Sequence, residues 1–105
     1  MDFQVRWLKP ALRDREEQVR YQEEHYGPEL ARQHLDRIHQ AVDMLQAMPA
    51  SGRLCRELPG FHEKILRPDY RIVYRIDRAQ GQIKICAVIA SKQDFMPAWK
   101  QQRRP

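Results

Sequence analysis

LRPDYRIVYRIDRAQGQIKI, residues 66–85, alternates large apolar side chains with arginines. Successive side chains of an extended chain point to opposite faces of a sheet. Tyr70, Ile72, Tyr74 and Ile76 therefore share one face, which reads as core. Arg71, Val73 and Arg75 share the other, which reads as accessible. Pro68-Asp69 marks a turn before this strand and Arg78–Gly81 a turn after it. Ile83, Ile85, Ala87 and Ile89 alternate again, so two adjacent strands form an antiparallel hairpin. Upstream, Phe61, Ile65 and Leu66 predict a further strand.

The first half has a different period. Phe3, Val5 and Trp7 alternate with Gln4 and Arg6, predicting a short opening strand. Pro10 suits the first turn of a helix, and the Glu, Gln and Arg that follow favour helix to about Tyr26. Leu12, Val19 and Tyr26 recur every seven residues, a single narrow apolar stripe. Gly27-Pro28 ends one helix and opens the next. Leu30, Ala31, His34, Leu35, Ile38, Ala41, Val42, Leu45 and Met48 then mark one face at helical spacing, until Pro49 and Ser51-Gly52 stop it. The expected fold is α+β: a short N-terminal strand, an antiparallel helix hairpin, then a mainly antiparallel sheet of about three further strands. The expected organisation is one domain over residues 1–100 and a basic tail over 101–105, where QQRRP reads as frayed.

Composition narrows the function classes. No apolar run approaches the roughly 18 residues that a membrane span needs. The start, MDFQVRWLKP, lacks the basic and apolar regions of a signal peptide, so a cytoplasmic location is expected. Cys55 and Cys86 read as reduced, buried thiols. Residues 1–51 carry seven Lys/Arg and nine Asp/Glu, a net −2; residues 52–105 carry twelve and five, a net +7; together they give +5. A basic half beside a mildly acidic one points to an acidic or polyanionic partner. The P-loop, the dinucleotide fingerprint, the nucleophile elbow and zinc-ligand spacing are all missing, and no metal or cofactor is expected.

The polar residues that remain cluster in the second half. His62 and Lys64 have the same parity, Arg67 sits at the following turn, and Arg71 and Arg75 share a strand face; Lys92, Gln93 and Trp99 come after the last strand. If the strands pair in order, the outer sheet face carries cationic donors beside an aromatic, a surface that binds phosphates and stacks bases. The plain alternatives are a solvated sheet face and a Trp99 that docks the tail onto the core. His34 reads as a packed helix residue, and His25 and His39 as surface histidines.

Together, the opening strand, the hairpin broken by Tyr26-Gly27, the P-x-x-G-R at residues 49–53, the run FHEKILRPDYRIVYRID and the segment IKICAVIASKQDF resemble the RelE/ParE superfamily of bacterial toxins. The resemblance runs from Phe3 to about Trp99 and implies a small toxin neutralised by a cognate antitoxin. It is closer to ParE-like members, which poison DNA gyrase; Arg67, Arg71, Arg75, Lys92 and Gln93 would then contact the target. RelE-like members instead cut messenger RNA on the ribosome. Under that alternative the protein is an enzyme, with His62, Lys64, Arg71 and Trp99 as its catalytic set. The resemblance leaves that set incomplete, because Gln93 falls where RelE has a phosphate-stabilising arginine and tryptophan cannot deliver a proton. A third possibility is a degenerate member that only binds its antitoxin.

Overall fold

The alternating arginines lie on a central strand. In the computed structural model, which describes residues 3–103, the chain runs β1 (Gln4–Trp7), α1 (Lys9–Tyr26), α2 (Pro28–Ala47), a 3-10 turn (Pro49–Ser51), β2 (Arg53–Leu54), β3 (His62–Leu66), β4 (Tyr70–Asp77), β5 (Gln82–Ala90) and α3 (Phe95–Gln101). The strands form one sheet in the order β1-β5-β4-β3-β2. β1 runs parallel to β5 and the other pairs are antiparallel. The expected α+β architecture is present, with one strand more than the sequence suggested. That strand, β2, is two residues long, too short for alternation to reveal it.

The two helices cover one sheet face. Gly27 joins them with φ +94°, a conformation that L side chains rarely adopt, while a Cβ there would meet nothing within 4 Å. Backbone conformation is thus what calls for glycine. Ala31, His34, Ile38, Ala41, Val42 and Leu45 of α2 are buried at i, i+3 and i+4 spacing. Ile38, Val42 and Leu45 share a core cluster with Ile72, Tyr74, Ile83, Ile85 and Val88.

α1 departs from the expected stripe. Tyr26 is 58% exposed, and the buried positions are Ala11 and Asp14. The cause lies on β5. β1 pairs with β5 only up to Ile85, leaving residues 86–90 without a neighbouring strand on that side. Side chains take the strand's place. Val88 donates its N–H to Asp14 Oδ2 at 3.0 Å and accepts from Gln18 Nε2 at 2.7 Å. Ala90 donates its N–H to Gln93 Oε1, and the Arg103 guanidinium donates to the Cys86 carbonyl. Buried backbone groups need partners, so α1 turns polar residues inward here.

Two further expectations are corrected. Ile83, Ile85, Ala87 and Ile89 do not share a face: Tyr74 pairs with Ile85 and Val73 with Ala87, so Cys86 is an extra residue. This bulge reverses the phase. Ile83, Ile85 and Val88 face the helices, while Ala87 and Ile89 face the other way. That other face is not open. Cys55, Val73, Ala87, Ile89 and Phe95 form a second core, flanked by Leu58, Phe61, Ala98 and Trp99, so α3 and the segment 55–61 roof it.

The expected basic tail 101–105 lies partly outside the described residues, as do Met1 and Asp2. Within them it is held rather than frayed: Gln102 donates to Glu17 Oε2 at 2.8 Å and its carbonyl accepts from Arg13. Arg103 stacks on Trp99 at 3.9 Å and lies 3.8 Å from Asp14.

Candidate functional site

Strand register divides the candidate residues between the two sheet faces. His62 pairs with Tyr74 and Lys64 with Ile72, so both side chains lie on the helix side. Arg71 pairs with Ile65 on the opposite side. The expected single cluster of His62, Lys64 and Arg71 on the outer face is therefore not formed, because parity across an antiparallel ladder fixes which residues share a face.

On the helix side, His62 stacks on the Tyr74 ring at 5.5 Å, and its Nδ1 is buried without a hydrogen-bond partner. Tyr74 is fully buried; its hydroxyl donates to the Pro49 carbonyl at 2.7 Å and accepts from the Gly52 N–H at 3.2 Å. Lys64 Nζ lies 3.2 Å from Met44 Sδ and 3.4 Å from Ser51 Oγ.

On the outer side, Arg71 is enclosed by acceptors. Its guanidinium bonds Glu63 Oε1 at 2.8 Å and both Glu57 oxygens at 3.2 and 3.0 Å, and it lies over the Phe95 ring at 4.2 Å. Its side chain is 17% exposed, and that of Glu63 only 3%. Arg53 donates to the second Glu63 oxygen at 2.8 Å. Burial alone would weaken Arg71's hold on its proton, but the two carboxylates outweigh it and raise the pKa. The bond from Arg71, in turn, lowers the Glu57 pKa. Cys55, Glu57 and Glu63 bring ligand-type atoms within 4.8 Å of one another, but this cation site is already filled by the guanidinium.

The other candidates spread along the same half of the molecule. Arg75 is exposed and lies over Phe61 at 5.3 Å. Four residues of strand put it roughly 13 Å from Arg71. Arg67, Lys92 and Gln93 are exposed. Their loops meet where the Ser91 N–H donates to the Asp69 carbonyl at 2.6 Å. Trp99 packs against Phe61 at 5.4 Å and Phe95 at 6.2 Å, which docks α3. Sequence reasoning missed Glu57 and Glu63 as the partners of Arg71. Glu63 carried a usable signal: it shares a face with Ile65, one pair along the ladder from Arg71.

A cleft of about 720 Å³ opens between the helix hairpin and the β5–α3 loop. Its walls include Tyr21, Tyr26, Leu30, His34, Tyr70 and Lys92. Tyr21, Tyr26 and Leu30 are 50%, 58% and 43% exposed, an apolar and aromatic rim at the hairpin tip. At the floor, His34 Nε2 is 3.1 Å from Gln18 Oε1; burial, then the charge on Arg37, lowers the His34 pKa.

A helix hairpin on a five-stranded mixed sheet with a short C-terminal helix defines the class of small RelE/ParE-like α+β toxins. The family described as the ParE toxin of type II toxin-antitoxin systems, parDE, matches residues 5–95, and the chain belongs to it. A chromosomal ParDE toxin-antitoxin system from P. aeruginosa matches with TM-score 0.75 and 22% identity over 86% of this chain and 97% of that one. The RelBE2 toxin-antitoxin complex from Mycobacterium tuberculosis gives 0.62 and 25% over 86% and 99%. A double mutant of the E. coli toxin RelE in the free state gives 0.64 and 15% over 98% and 96%. Among curated protein sequences none matches. Among the described residues no helix is long and apolar enough to cross a membrane.

Proposed function

We propose that this protein inhibits growth by trapping DNA gyrase as a binding poison in the cytoplasm, and that a cognate antitoxin neutralises it. The observation that supports this over RNA cleavage is the division of the candidate catalytic groups. Cutting RNA at a 2′-hydroxyl needs a base, an acid and positive charge around one phosphate. Here His62 and Lys64 sit across the sheet from Arg71, and two glutamates neutralise Arg71. A binding poison needs no such convergence. Arg67, Arg75, Lys92 and Gln93, all exposed, form the target surface in this reading, with Arg71 as the internal clamp that shapes it. The antitoxin occupies the cleft beside the hairpin, whose aromatic rim and Lys92 suit an amphipathic acidic segment.

Purified toxin is expected to block gyrase supercoiling and to accumulate cleaved gyrase–DNA complexes. The ribosome-directed alternative predicts cutting in the ribosomal A site of a translation extract. Unchanged supercoiling at saturating toxin overturns the gyrase reading.

A further inference from the structure

The two edges of the sheet are finished differently. Beyond β1, the free side of β5 is closed by side chains of Asp14, Gln18, Gln93 and Arg103. At the other edge, β2 covers β3 only at His62 and Glu63. The Cys55 N–H donates to the Phe61 carbonyl at 2.9 Å, so the odd-numbered residues here aim their backbone groups toward β2. By the same alternation Ile65 aims its N–H and C=O that way, beyond the point where the chain has turned into the 3-10 segment Pro49–Ser51. These two backbone groups of Ile65, left uncovered by β2, are a short template for another strand.

The side chains around this edge say what kind of strand fits. Lys64 Nζ contacts only a thioether and a hydroxyl among the described residues. The nearby carboxylates of Glu57 and Glu63 lie on the opposite face, engaged by Arg71 and Arg53. Met44, which contacts Lys64, is 49% exposed, Leu54, which pairs with His62, is 72% exposed, and Ile65 is 41% exposed on the outer face. Arg53 and Arg67 add exposed positive charge.

We propose that the open edge of β3 receives an extended segment of a partner protein in which aliphatic and acidic residues alternate. Its backbone pairs with Ile65. An aliphatic side chain rests on Ile65 on the outer face, and the acidic residue next to it reaches Lys64 on the helix face. This is strand addition, with main-chain bonds supplying affinity and the alternating side chains supplying specificity. It stands whichever target the toxin has.

The test is titration of the purified toxin, to millimolar concentration, with a synthetic peptide of alternating Glu and Val and with a matched peptide of alternating Lys and Val, followed by NMR of the amides. The Glu-Val peptide is expected to bind, to shift Ile65 and its neighbours, and to weaken about tenfold with Lys64→Glu; the Lys-Val peptide is expected not to bind. Ile65→Pro removes the outward N–H without touching the β3–β4 ladder, which uses the even-numbered residues, and is expected to abolish binding. Lys64→Gln, checked by a thermal melt, gives an intermediate loss. No binding, equal binding of both peptides, or binding indifferent to Lys64→Glu overturns the proposal. So does self-pairing of the toxin through Ile65 that excludes the peptide, since the occupant is then a second copy.

Discussion

Arg71 shows how a residue's neighbours decide its use. A guanidinium bonded by two carboxylates and stacked on Phe95 is a structural brace. Arg71→Ala would leave the buried Glu63 paired only with the exposed Arg53, a loss of up to about 3 kcal/mol. A melting curve checks this, and a lost activity in that variant means little unless the melt is preserved. Gly52 is as tightly specified. A Cβ there would lie 2.4 Å from the Tyr74 hydroxyl and 2.5 Å from the Glu63 carbonyl. Gly52→Ala is expected to destabilise by about 2–4 kcal/mol in denaturant unfolding, and an unchanged midpoint would refute the close approach. Asp14 offers a pH test. Burial raises its pKa from 3.8 to about 6, against the lowering effects of the Val88 N–H and Arg103. A carboxyl raised in the folded state binds more protons there than in the unfolded chain, so stability falls as pH rises from about 4 to 6 and levels off above that. The shift corresponds to roughly 3 kcal/mol. Asn keeps an acceptor for Val88, so the stability of Asp14→Asn relative to the parent is expected to grow by about that much from pH 4 to pH 7. A gap independent of pH would contradict the account.

At the scale of elements, what was legible followed periodicity. α2, β4 and the hairpin break at Gly27 stand where their patterns put them, because the apolar spacing of α2 and β4 and the Gly27-Pro28 pair are each signalled within the element itself. The misplaced features are those with partners distant in sequence. Cys86 reverses the phase of β5, yet nothing local in IKICAVIA announces an extra residue. Asp14 and Gln18 read as a wet helix face because the strand edge they close lies more than 70 residues away in one case and 70 in the other. Parity alone gives His62 and Lys64 one face, but whether Arg71 joins them depends on pairing register, which no single strand carries. α3 belongs to the same group. Its aromatic residues pack on an outer core assembled from β4, β5 and the 55–61 segment. Trp99→Ala removes contacts with Phe61, Phe95 and Arg103, and is expected to cost about 2–3 kcal/mol and to loosen α3 first. Hydrogen exchange checks this: α3 amides should lose protection while α2 amides keep theirs.

At the scale of the whole molecule, the uneven charge finds a physical use. The half with net +7 holds β2 to β5 and α3, while the half with net −2 supplies the hairpin. The second half supplies the exposed Arg67, Arg75 and Lys92, and Lys92 also lines the aromatic cleft. In the proposed reading Lys92 belongs both to the target surface and to the cleft that takes the antitoxin, so the two partners are expected to compete there, and no arginine needs to perform chemistry. The most direct test runs one preparation, with the Arg71 brace intact, through a gyrase supercoiling assay beside a translation-extract cleavage assay. The expected result is blocked supercoiling with trapped, cleaved DNA and an intact message, unchanged by His62→Ala. Unimpaired supercoiling together with messenger RNA cut in the ribosomal A site would contradict it.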